Sequence, residues 1–89
     1  MSEKRPATLQ DSVELMLSDD YKKRFIAEYM QLAIRHGKLA KMLRDYVAGA
    51  LDFEPVTDYG LLYKQCQLMD EYLMILRVRA KLEGIELNV

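Results

Sequence analysis

Few residues in this chain are of types and spacings that could do covalent chemistry. One histidine, His36, and one cysteine, Cys66, stand thirty positions apart with no cluster of His, Cys and Asp at ligand spacing, which excludes a zinc site. No Gly-rich phosphate loop is present, and adjacent carboxylates such as Asp19/Asp20 and Asp70/Glu71 point in different directions on a helix. The expectation is a protein that is not an enzyme and carries no metal or cofactor. Arg79 and Gln65 are more informative, because each falls in an otherwise apolar stripe and needs a partner if it is buried. For Arg79 the plain partner is Glu28; the functional one is a phosphate or a carboxylate, which a guanidinium binds bidentately. Tyr21, Arg24, Glu28 and Tyr29 fall at the same end of the chain's main hairpin, so Tyr21, Arg24, Glu28, Gln65 and Arg79 are the candidate ligand-binding residues. Tyrosine with arginine can stack on a base and neutralise phosphate. The basic set Arg35, Lys38, Lys41 and Arg44 spreads around more than half of a helix and reads as a solvated face. Nothing resembles a recognition-helix unit, so nucleic acid is not an expected partner.

These residues are positioned by one long stretch, Asp19 to Ala48, which reads as a single helix closed by Gly49. Phe25, Leu32, Leu39 and Tyr46 step by seven, with Tyr29, His36 and Leu43 four places after the first three, a coiled-coil-like seam that requires a partner helix. Ser18 is the expected N-cap, with Asp19 and Asp20 in the first turn. Beside the seam runs a second stripe of Ile26, Met30, Ala33, Gly37, Ala40 and Val47, whose small centre suggests close packing of another backbone or a ligand. Ala50 to Val56 forms a connection in which Pro55 blocks helix propagation and Phe53 is expected to plug the open end of the hairpin.

Thr57 is expected to cap a second long helix, Asp58 to Glu83, stopped by Gly84. Leu62, Cys66, Met69, Leu73, Leu76 and Ala80 make one stripe, and Leu61, Gln65, Leu68, Tyr72, Ile75, Arg79 and Leu82 the next. Folding this helix back with Tyr46 opposite Leu62 and Leu32 opposite Leu76 sets Arg79 beside Glu28 or Tyr29 and lets His36 meet Tyr72. In that register Cys66 lies more than a turn from His36, which excludes a dyad. Residues 1–7 read as a flexible arm and 8–89 as one domain. Thr8 with Asp11 announces a short leading helix through Leu17, marginal alone.

The fold class is therefore all-α: a long antiparallel helical hairpin with a short N-terminal helix. Its apolar faces are wider than one neighbour needs, so an oligomeric bundle is expected. The candidate oligomer or partner surface is Ile26, Met30, Ala33, Gly37, Ala40, Phe53, Leu68 and Ile75. Eighty-nine residues with net charge −1, half of them apolar, bury a limited core and exert no global pull on nucleic acid or membrane. A single cysteine, no signal-peptide core and no run near 18 apolar residues suggest a cytosolic protein.

The run Asp20-Tyr21-Lys22, Arg24-Phe25 and Glu28-Tyr29, then Gly49-x-Leu51-x-Phe53-x-Pro55, Leu61-Leu62-x-x-Gln65, Met69-x-x-Tyr72-Leu73, Arg79-Ala80 and Glu83-Gly84-Ile85, resembles a family of small proteins. They are encoded by tailed phages and prophages of gut bacteria and are named after a member in a crAss-like phage. The resemblance implies a phage or prophage context and a location in the host cytoplasm, with no activity attached. Small phage proteins without catalytic groups act on host defence by binding, which leaves two active classes. One is an oligomer that sequesters a cyclic or ADP-ribose-type nucleotide immune signal at intersubunit pockets. The other is an inhibitor of a host defence protein, anti-CRISPR-like, presenting a helix face or the Phe53 loop. A structural or regulatory module without ligand is the third reading.

Overall fold

The computed structural model describes residues 7–88 and is all-helical, with no strand among the described residues. Three helices follow in order: α1 (Ser12–Met16), α2 (Tyr21–Val47) and α3 (Tyr59–Glu83). The expected flexible arm, Ala7 excepted, lies outside the described residues. The Thr8 and Asp11 box forms, the Thr8 amide donating to the Asp11 carboxylate at 2.9 Å and the Asp11 amide to the Thr8 hydroxyl at 3.4 Å. It stabilises a turn, however, and regular helix begins only at Ser12.

The caps of the long helices differ from expectation by a residue or two. Ser18 does not cap α2; its hydroxyl accepts from the Asp20 amide, and Asp20, in extended conformation, accepts from the amide of Lys22. Asp58 rather than Thr57 caps α3, accepting from the amide of Leu61. In both places a carboxylate displaces the neighbouring hydroxyl, since it is the stronger acceptor for the unpaired amides and meets the positive end of the helix. Gly49 and Gly84 terminate α2 and α3 with φ of +71° and +70°, the left-handed conformation that favours glycine.

α2 lies between the other two helices: α1 packs on one side of it and α3 on the other, while α1 and α3 do not pack together. The core cluster sits between α2 and α3, built from Phe25, Tyr29, Leu73, Leu76, Ala80 and, beyond the Gly84 stop, Ile85. Ile26, Leu32, Ala33 and Leu87 pack around it, so the tail closes the end of the hairpin. On the α1 side Ser12 is buried, accepts from the Gln31 side-chain amide at 2.9 Å and donates to the Leu9 carbonyl at 2.7 Å. Ala27 and Met30, also buried, share that face of α2.

The helices run antiparallel, but about one turn away from the expected register. Tyr21 meets Glu83, Phe25 meets Arg79, Tyr29 meets Arg77, and Tyr46 meets Tyr59 instead of Leu62. Sliding one heptad stripe past another by a turn keeps apolar against apolar, so the pattern does not select between these alignments. Aromatic contacts do. Tyr46 packs against Tyr59 in a tilted pair at 5.1 Å, Tyr59 and Tyr63 stack at 6.0 Å, and this ladder closes the loop end where Phe53 was expected. Phe53 is 53 % exposed instead.

With a radius of gyration of 15.4 Å, against about 12 Å for a compact chain of this length, the molecule is a rod-like slab with a thin core. Leu76, fully buried at the centre of that core, should therefore be the most sensitive position. Leu76→Ala is expected to cost about 2–5 kcal/mol, whereas Leu17→Ala, at a 79 % exposed site, stays within about 0.5 kcal/mol. Urea unfolding followed by circular dichroism measures both.

Candidate functional site

Two regions of the hairpin carry clustered polar and aromatic side chains, and they differ in whether those side chains are already engaged. The first is the end where α2 begins and α3 finishes. A cavity of about 380 Å³ there is lined by Met16, Tyr21, Arg24, Phe25, Glu28 and Arg79, which brings together four of the five candidate ligand-binding residues. Their polar atoms are already bonded within the chain. The Tyr21 hydroxyl donates to Glu83 at 2.7 Å and accepts from Arg79 Nη2 at 2.8 Å, while Arg79 Nε donates to Glu83 at 3.1 Å. The Arg79 guanidinium also lies over the Phe25 ring, 5.0 Å from its centroid. Arg24 donates to the Ser18 carbonyl at 2.8 Å and so ties α2 to the segment before it.

The expected Arg79–Glu28 pair does not form. Because the register is displaced, Glu28 instead accepts from the hydroxyl of Tyr72, the residue expected beside His36. Arg77, which the sequence reading passed over, donates to the Tyr29 hydroxyl at 3.0 Å and lies over its ring at 5.7 Å. Its only signal in the sequence is a position two residues before Arg79, on the flank of the stripe. Gln65, the fifth candidate, is remote from this end and lines a separate groove with Leu61, Lys64, Leu68, Met69 and Tyr72.

The second region is a cleft of about 670 Å³ between the C-terminal half of α2 and the N-terminal half of α3. His36, Ala40, Arg44 and Val47 line it from α2, and Tyr59, Tyr63, Cys66, Gln67 and Asp70 from α3. The displaced register creates this set, because it brings His36 level with Gln67 and Asp70. His36 and Cys66, expected to lie more than a turn apart, line the same cleft. Among the described residues the side chains of His36, Arg44, Gln67 and Asp70 make no hydrogen bond or ion pair with protein. Lys41, by contrast, is held by Asp45 at 2.7 Å, so that of the basic set Arg44 is the member turned to the cleft. Chemically the cleft offers two stacked tyrosines on one wall, one guanidinium, one imidazole and both an amide and a carboxylate. The sequence signal for it was the spacing of Tyr59 and Tyr63, one turn apart, opposite a helix ending in Tyr46.

The candidate partner surface divides as well. Met30 is buried within the chain, and Ile26 and Ala33 pack on the core cluster. Ala40 lines the cleft, and a side-chain carbon added at Gly37 would meet open space. Leu68 and Ile75 are 52 % and 58 % exposed on the outer face of α3, and Phe53 is exposed on the loop. Among the described residues no group of three His, Cys, Asp or Glu is placed to hold a metal ion, and no helix is long and apolar enough to cross a membrane.

A family model described as Sequestin matches residues 19–82, from just before α2 to the end of α3. No curated protein and no solved structure matches the chain.

The clamp at the first end has a pH signature. Glu83 is held below its ordinary pKa of 4.5, first by the Tyr21 hydroxyl and then by Arg79; Tyr21 and Tyr72 are raised above 10.0, first by their bonds to Glu83 and Glu28. A depressed carboxyl adds stability above its unfolded pKa that is lost as pH falls through the folded value. A raised phenol adds stability below its unfolded pKa that is lost as pH rises through the folded value. Stability should therefore be level between about pH 5 and about pH 10 and decline on both sides. Urea midpoints against pH are expected to show a shallower acid limb for Glu83→Gln and a shallower alkaline limb for Tyr72→Phe.

Proposed function

The chain belongs to the Sequestin family, and from that membership and the chemistry of the cleft we propose that it is a non-enzymatic binding protein that sequesters a nucleotide immune signal. The family's name speaks of sequestering, and the residue resemblance to small phage and prophage proteins suggests a counter-defence role in the cytoplasm of a bacterial host. The observation that carries the reading is the cleft itself: an aromatic wall facing a set of polar side chains without protein partners among the described residues.

A nucleotide supplies what each of those groups lacks. Tyr59 and Tyr63 offer π faces to a base, which stacks with little regard to its identity. Arg44 is the cation for a phosphate, with His36 as a further donor. Asp70 and Gln67 suit ribose hydroxyls and the polar edge of a base, since a carboxylate accepts from hydroxyls but repels phosphate. The volume is in the range of small-molecule sites. The ligand is thus proposed in a cleft within one chain, a simpler arrangement than a pocket shared between subunits. At the Tyr21 end Arg79 would have to give up Glu83 and Tyr21 before it met a phosphate, which makes that end the weaker candidate.

Calorimetry and thermal shift with a panel of cyclic and ADP-ribose-type nucleotides test the proposal. One member is expected to raise the melting temperature, by about 2.7 kcal/mol of added stability at a hundredfold excess over Kd. Tyr63→Ala and Arg44→Ala should abolish that shift while leaving the unliganded melting temperature close to wild type, and Arg79→Met should retain it. No response across the panel, or loss of binding only at Arg79, would refute the cleft as the site.

A further inference from the structure

α2 has a helix on each side, whereas α3 has one neighbour only. Of its twenty-five residues only Leu73, Leu76 and Ala80 are buried, while Leu61, Leu68, Met74, Ile75, Val78 and Leu82 are each more than half exposed. Leu61, Leu68, Ile75 and Leu82 recur every seven residues, at 63 %, 52 %, 58 % and 82 % exposure, and form one column about 32 Å long on the outer side of α3. The column lies roughly half a turn around the helix from the residues that line the cleft. No equivalent column is exposed on α2, where the large apolar residues left open are Tyr21, Tyr46 and Val47.

We propose that this column is the interface with a second copy of the chain, two α3 helices packing antiparallel about a two-fold axis near Glu71 and Tyr72. A seven-residue repeat interdigitates with another helix of the same repeat, and this column is the matching one the molecule provides. Antiparallel pairing sets Leu61 opposite Leu82 and Leu68 opposite Ile75, a self-complementary order, and opposes the two helix dipoles. The column runs nearly the whole length of α3, and a standard interface takes about 800 Å² from each partner. The assembly is then a layered slab with the two α3 helices at its centre and the α1 helices outermost, leaving both clefts open. Dimerisation does not depend on the cleft taking a nucleotide.

Light scattering with size exclusion on the full chain tests the interface. The wild type is expected at twice the 10.4 kDa chain mass, and Leu68→Glu with Ile75→Glu at the monomer mass with the helical circular dichroism retained. Leu17→Glu, at an equally open site outside the column, should remain dimeric. If the double charge variant does not fold, Leu68→Ser with Ile75→Ser must raise the dimer dissociation constant at least tenfold. A monomeric wild type overturns the proposal, as does a dimer indifferent to both pairs of substitutions; a monomer that binds a different protein through α3 overturns it too.

Discussion

The constraint on which the rest depends is the narrowness of the contact between α2 and α3. Phe25 and Tyr29 on one side and Leu73, Leu76 and Ala80 on the other, with Ile85 folded in behind the Gly84 turn, constitute nearly the whole of the buried cluster. A chain this small buries a modest fraction of its surface, and a two-helix contact buries less than a bundle does. What holds the helices in one alignment is therefore not the apolar stripe, which tolerates a slip, but the aromatic and polar contacts at the ends. Tyr46 and Tyr59 fix the loop end; Tyr21, Arg79 and Glu83 fix the other.

That division of labour explains why the two polar regions differ so much. Arg79, Glu83, Tyr21, Tyr72 and Glu28 hold the register, and they do so by satisfying one another at the surface, where each bond is worth little alone and several act together. His36, Arg44, Gln67 and Asp70 have no such duty. Aligning the helices a turn away from the simplest heptad match leaves them facing a cleft with their hydrogen-bonding capacity open. Side chains in that condition are available to a ligand without first dismantling the fold, and binding there need not compete with structure.

α1 adds a further asymmetry. By covering Ala27 and Met30 and engaging Gln31 through Ser12, it closes an apolar face of α2 that would otherwise lie open. Its five residues would not persist alone, so it exists because α2 gives it a surface. No corresponding cover lies on α3, and a row of leucine and isoleucine is left in water at a spacing that belongs to helix pairing. α3 thus carries a cleft-lining flank and an open apolar column on one helix.

The amino-acid sequence by itself determined the helices. Period, capping carboxylates and the two left-handed glycines are local properties, so α2, α3 and the stop at Gly84 follow from neighbours a few residues apart, with errors of one or two positions where Asp20 and Asp58 outcompeted Ser18 and Thr57. It also showed that the apolar faces exceed what one hairpin covers, and it singled out Tyr21, Arg24, Glu28 and Arg79 as one cluster, which they are. What only the tertiary structure decided is the alignment of one helix along the other. A heptad stripe has nearly the same burial after a slip of one turn, so its free energy does not discriminate between registers. The choice falls to a few specific contacts between residues far apart in the chain, Tyr46 with Tyr59 and Glu28 with Tyr72. Those contacts moved Arg79 from its expected partner Glu28 to Tyr21 and Glu83, and made a cleft of His36, Arg44, Tyr63 and Asp70.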